Sequence, residues 1–310
     1  MREHVLSAEP THSVWDRELA PRLVVAAGDV VHVECMDASG GQVKPGMTAE
    51  EFGGIDRTRI HALTGPIGVE GAEVGDVLQV DVVEVAHQGW AWTSVIPGLG
   101  FLEERFREPY MFHWELDGDV TRSLGPAVVP LRPFCGVMGV APGESGAFRT
   151  RPPGAFGGNM DVRELSAGAT LYLPVFNEGA LFSCGDAHAA QGDGEVCING
   201  MECPAGVTLR FGLHKGRSLA GPVIEAAART GEDGAAWVVV ESGEDTFAAA
   251  QRATSRMVDL LVDRWGFTPV EAYLLCSVAM KLRLSQVVNR PMVTVSAGLA
   301  KGILPDRWLY

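Results

Sequence analysis

The stretch Gly185-Asp186-Ala187-His188-Ala189-Ala190-Gln191-Gly192-Asp193-Gly194-Glu195 gathers acids, an imidazole and a carboxamide among glycines. A turn between two strands needs only one or two residues of special backbone freedom, so this density calls for a chemical reading. The flanks ALFSCGDAH and EVCINGMECPAGVTLRF read as a strand and as a strand, turn and strand, with AAQGDG connecting neighbours. Side chains on a strand repeat every second residue, which puts Asp186 and His188 on one face, and Glu195 is expected to begin the returning strand beside them. Oxygen and nitrogen donors of this kind suit a divalent cation, and a site with few protein ligands keeps a position open for water. The same residues also satisfy a plain Gly-Asp-Gly turn with a hydrogen-bonded histidine nearby. Spacing alone leaves both readings open.

Two further loops have the same character. Asp37, Ser39 and Gln42 lie in MDASGGQV, and Asn159 and Asp161 lie in GGNMD, inside a long glycine-rich loop. Each alone reads as an Asx-type turn. Together they form three Asp-centred loops that a β framework can bring to one end, where such folds place their sites.

The elements that must position these loops fall into two textures. Up to residue 221 the chain consists of short apolar runs broken by Gly, Pro and Asp; in DVLQVDVVEV, Val77, Val80, Val82, Val83 and Val85 alternate well enough for a strand. This predicts a mainly β body over 1–221, an antiparallel sandwich or barrel. Beyond it, Phe247, Ala250, Thr254, Met257, Leu261 and Trp265 recur at helical spacing, and Gly266 stops that helix. Thr268-Pro269-Val270-Glu271 has the form of a capping box opening a second helix, VEAYLLCSVAMKL, and a short β-like run covers Met292 to Ser296. The expected C-terminal part, 222–310, is therefore α+β and packs on the β body, as a second unit or as one compact whole with it.

Composition narrows the function. The 310 residues are 46% hydrophobic and 21% charged, with a formal net charge of -14. Without a basic run, nucleic acid is excluded as a partner. The beginning MREHVLSAEPTHSVWD has no apolar core of a signal segment, and no run spans a membrane, so a cytoplasmic protein is expected. Six cysteines without a CxxC pair suggest free thiols. Neither a GxSxG elbow nor a GxGxxG fingerprint is present.

The motifs MDASGGQ, TGPIGVEGAEVGDVL, GVMGVAPG, GGNMD and GDAHAAQGDGEV, in this order, resemble those of the acetamidase/formamidase family, and the likeness runs from THSVWD near residue 11 to LRLSQVVNRPM. The resemblance implies a metal-assisted hydrolase of small linear amides such as formamide or acetamide. It also implies a β-rich fold, a homo-oligomer (dimer or tetramer) and a divalent metal, zinc first and calcium second. Carried over, it makes Asp37, Asp186 and His188 the metal ligands. Glu195 becomes the general acid/base that takes a proton from the attacking water and returns one to departing ammonia. Asn159 and Gln42 orient the amide or the water, and Asp161 and Asp193 are alternative ligands or holders of ligands. Two readings stand against this one. The loops of a non-catalytic β-protein would hold a structural metal; alternatively the amide is larger, with Trp90, Trp92, Phe101 and Phe106 lining its pocket rather than a core or subunit contact.

Overall fold

Two open sheets face each other. In the computed structural model, which describes residues 1–228 and 234–306, the larger sheet has nine strands, in the order Glu3–Leu6, Val30–Cys35, Ala205–His214, Val77–His87, Thr170–Pro174, Val223–Ala226, Ala236–Gly243, Val293–Ala300 and Lys281–Gln286. All neighbours in it are antiparallel except the first pair. The smaller sheet has five strands, in the order Gly157–Asn159, Phe134–Val140, Phe182–His188, Leu63–Val69 and Leu23–Val25. The expected mainly β architecture is therefore a sandwich, and neither sheet closes into a barrel. Residues 229–233 and 307–310 of the part expected over 222–310 lie outside the described residues.

Alternation along the strands of the large sheet feeds two cores. Val31, Val33, Val80, Val82, Leu209 and Phe211 point into the layer between the sheets, while His32, Glu34 and Val83 do not. On Ala236–Gly243 the parity is explicit: Val238 and Val240 join the inter-sheet core, whereas Trp237 and Val239 pack under the helices with Met257 and Leu261. The strands that follow residue 221 extend the same sheet, and the helices Thr246–Trp265 and Pro269–Ala279 cover its outer face.

The glycine stop of the first helix and the capping box of the second are where the sequence placed them. Asp245 caps the first, Gly266 closes it in the left-handed conformation at φ 74°, and Thr268 with Glu271 forms the reciprocal capping box of the second. The second helix stops at Ala279, short of the expected Leu282, because Met280 turns into extended backbone and Lys281 enters the sheet.

The three central strands of the small sheet have no wet face. Every residue of Leu63–Val69, Phe134–Val140 and Phe182–His188 is buried, since one face packs on the large sheet and Trp15 and Phe156 cover Leu63 and Val137 on the other. This explains why these segments read as continuous apolar and glycine runs rather than as alternating ones.

The stripe under the first helix is the test of this packing. Met257→Ala should cost about 2–5 kcal/mol, as buried large-to-small changes do, and the denaturation midpoint in urea should fall accordingly; a midpoint within error of the parent would contradict the burial of Met257 (0% exposed).

Candidate active site

His188, at the end of its strand, is the centre of the site. Gln191 donates its amide N–H groups to the carbonyls of Asp161 (2.8 Å) and Ser285 (3.1 Å), which fixes its orientation and turns Oε1 toward His188 Nδ1 at 2.8 Å. Nδ1–H must therefore be the donor, and Nε2 is the nitrogen left for other work. That atom lies 3.0 Å from Glu202 Oε1, 3.6 Å from Asp186 Oδ1 and 3.9 Å from Glu195 Oε1. His61 approaches the other side of Asp186, with its Nε2 at 3.9 Å from Oδ2.

Special backbone holds these acids in place. Asp161, Asp186 and Glu195 all have left-handed φ values, of 52°, 55° and 47°, a conformation that costs non-glycine residues roughly 1–3 kcal/mol each and clusters at functional sites. Gly136 lets the cluster close: a Cβ there would lie 2.4 Å from Asp161 Oδ1 and 3.0 Å from Asp186 Oδ2. Asn289, on the segment after the edge strand Lys281–Gln286, donates to Asp161 Oδ2 at 2.5 Å.

Glu195 does not begin a returning strand. It sits in a turn, and Gly194 before it is clamped onto the edge strand through Ser285 O and the Val287 amide, each at 3.1 Å. The return pairing starts only at Met201, whose carbonyl accepts from Ala189 N at 2.8 Å and whose amide donates to Ala190 O at 2.9 Å. This register sets Glu202 opposite His188, and Glu202 pairs in turn with Trp92 on its other side.

The electrostatics are those of acids buried together. Burial, reinforced by Asp186, pushes Glu202 up to about 8 and Asp161 up to about 7, and burial with Asp161 nearby raises Glu195 well above the usual carboxylate range. Burial also acts to raise Asp186, but His61 and His188 prevail and hold it well below that range. Burial depresses His188, yet Glu202 and Asp186 outweigh it and lift the imidazole well above its ordinary value. His61 is lowered by burial.

A divalent cation fits this donor set. Asp161 Oδ1, Asp186 Oδ1, Glu202 Oε2 and His188 Nε2 are buried without a hydrogen-bond partner, and buried polar atoms are rarely left so. Asp161, Asp186 and His188 can bring one ligand atom each within 4.8 Å of one another, and so can His188, Glu195 and Glu202. A cation would ionise these acids and satisfy the orphaned atoms together.

Of the residues expected from the sequence, Asp186, His188 and Glu195 come together, and Asn159 lines the same cavity. Asn159 Nδ2 donates to Arg151 O at 3.2 Å, and Oδ1 has no partner. Asp37 lies nearby with both oxygens already engaged: Oδ1 accepts from Ser39 Oγ (2.7 Å) and Gly41 N (2.9 Å), and Oδ2 from the Trp92 indole (2.8 Å). It braces the wall. Gln42 bonds to Ser39 O in its own loop and to the backbone of Asp56 beyond the short helix Ala49–Gly53, and Asp193 pairs with Arg163 at 2.9 Å. Sequence reasoning missed Glu202, His61 and Asn289; only the hairpin register opposite His188 carried a signal for the first. The cavity itself is about 70 Å³, room for roughly five water-sized groups. Trp92 and Phe52 line it, whereas Phe101 and Phe106 are exposed.

Comparison with known proteins places the chain among others of this design. The model of the "Acetamidase/Formamidase family" matches residues 2–148 and 143–305. A formamidase of Methylophilus methylotrophus is 30% identical over 66% of this chain, a match that spans 64% of the formamidase's own length. The acetamidase structure from Bacillus halodurans superposes with a TM-score of 0.89 at 33% identity, covering 96% of this chain and 98% of that one. A predicted acetamidase/formamidase of Thermoanaerobacter tengcongensis gives a TM-score of 0.90 at 31% identity, covering 98% and 97%.

The packing at Gly136 is a direct test of the cluster. Gly136→Ala should weaken divalent-cation affinity about 10–100-fold, the usual effect of disturbing groups that orient ligands, as read by chelator competition. Unchanged affinity would show that the cation is not held here.

Proposed function

The chain belongs to the acetamidase/formamidase family, and from that premise we propose that it hydrolyses small linear amides, of the size of formamide or acetamide, to a carboxylate and ammonia. The observation that carries this reading is the convergence of orphaned acid and imidazole atoms on one small cavity. His188, Asp186 and Asp161, with Glu202 beside them, would hold a divalent cation. The imidazole among the oxygen donors favours zinc over calcium. When bound, the cation supplies Lewis-acid polarisation and hydroxide at neutral pH.

The chain's own residues do the rest. Glu195, buried and poised in its turn, takes a proton from the attacking water and delivers it to the nitrogen. A C–O bond forms, the C–N bond breaks, and the remaining acid proton leaves with ammonia as ammonium. Asn159 Oδ1 accepts an N–H of the amide, which orients the carbonyl carbon. A cavity of about 70 Å³ suits acetamide's four heavy atoms better than a larger amide.

A homo-oligomer belongs to the same reading. Phe247, Val270, Tyr273, Leu274 and Val278 are exposed on the outer helices, an apolar surface of the kind that a second copy covers. No described helix is long and apolar enough to cross a membrane, and the cysteines are free, which accords with work in the cytoplasm.

Ammonia release is expected from formamide and acetamide, declining with longer amides, lost on chelation and restored by zinc. No release from any amide, with metal still bound, would refute the reading in favour of a structural metal. Glu195→Gln should lower kcat about 10²–10⁴-fold with metal content and melting temperature unchanged; lost metal instead would make Glu195 a ligand.

A further inference from the structure

Charge changes sign along the cavity. The acids at its inner end are buried, Arg151 is half-buried, and Arg57 is exposed. Arg151 has no hydrogen-bond or ion-pair partner for its guanidinium among the described residues, although a half-buried guanidinium ordinarily finds one. Its surroundings compensate little: burial, with Arg149 and Arg57 close by, lowers its pKa, and Glu195 alone among the nearby acids acts the other way.

The backbone of this arginine is nevertheless tied firmly to the site. Its carbonyl accepts from Asn159 Nδ2, and the preceding Thr150 hydroxyl accepts from His61 N at 2.9 Å. Arg151 is thus tied through one residue or its neighbour to the amide-orienting Asn159 and to the histidine beside Asp186.

We propose that Arg151 is a catalytic residue whose guanidinium takes the carbonyl oxygen of the amide as negative charge gathers on it, and then holds the carboxylate product. This rests on the amide-hydrolase reading. The reaction converts a neutral substrate into an anion inside a cavity dominated by acids, and among the described lining residues Arg151 is the half-buried cation that no acid pairs with directly. A planar fork of N–H donors matches both the developing oxyanion and the two oxygens of the product. Asn159 on the amide nitrogen and Arg151 on the oxygen would hold the two ends of the N–C–O unit while Glu195 handles the proton.

The test separates binding from turnover. Acetate is titrated calorimetrically into the wild-type protein, Arg151→Gln and Arg151→Lys, and kcat and KM for acetamide are measured on the same preparations, with melting temperature and metal content as controls. Arg151→Gln should weaken acetate binding at least tenfold and lower kcat about 10²–10³-fold, the scale of losing an oxyanion donor, with KM changed far less. Arg151→Lys should fall between the two, with controls unmoved throughout. Equal acetate affinity in wild type and Arg151→Gln, or no measurable acetate binding in either, would overturn the proposal. A wild-type protein without amide turnover would overturn the amide reading and the catalytic half of this one, and the acetate titration would still decide whether Arg151 recognises a carboxylate.

Discussion

The burial of four carboxylates around one imidazole nitrogen is the constraint to which the rest of the molecule answers. Like charges in a medium of low dielectric resist ionising together, so burial and mutual repulsion raise Glu202, Asp161 and Glu195 while two histidines hold Asp186 low. Such a cluster is unfavourable for folding unless a cation joins it. The left-handed backbone at Asp161, Asp186 and Glu195 adds to that cost. Stability elsewhere must offset both, and the buried central strands of the small sheet and the two apolar layers on the large one are where it resides.

The architecture serves the cluster by drawing distant parts of the chain together. Asp186 and His188 come from a strand of the small sheet, Glu202 from the chain returning beside it, Asp161 from the turn after a short edge strand, and Asn289 from the segment that follows the edge strand Lys281–Gln286 of the large sheet. Gln191 joins these parts, since one amide touches His188, Asp161 and Ser285. The edge strand that carries Ser285 also clamps Gly194, so the turn presenting Glu195 is fastened to the C-terminal strands rather than left free. The two C-terminal helices lie on the far face of the large sheet, and their part is to cover it.

Much of the framework was legible in the sequence because its signals are local. Caps, a terminating glycine and helical spacing are satisfied within a few residues, and the helices at Thr246–Trp265 and Pro269–Ala279 follow them closely. Asp186 and His188 were legible for the same reason, as two residues apart on a strand necessarily share a face. The return of the chain after Gly194 was not: the extended reading of EVCING met a positive φ at Glu195 and at Ile198, and a hydrogen-bond partner nearly a hundred residues away decided the local path.

The sequence by itself determined the mainly β class, the stop of the first helix, the cap of the second and the pairing of an acid with a histidine at one strand end, because propensity and periodicity act over a few residues. Only the tertiary structure decided which acids meet that histidine. Asp37, equally acidic and glycine-flanked, is consumed by Ser39, Gly41 and an indole, whereas Glu202, which nothing in its neighbourhood marks, is carried to 3.0 Å from His188. Whether a carboxylate braces a loop or faces a cavity depends on which donors the fold brings within about 3 Å of it, and that distance is set by the packing of the sheets rather than by residue type.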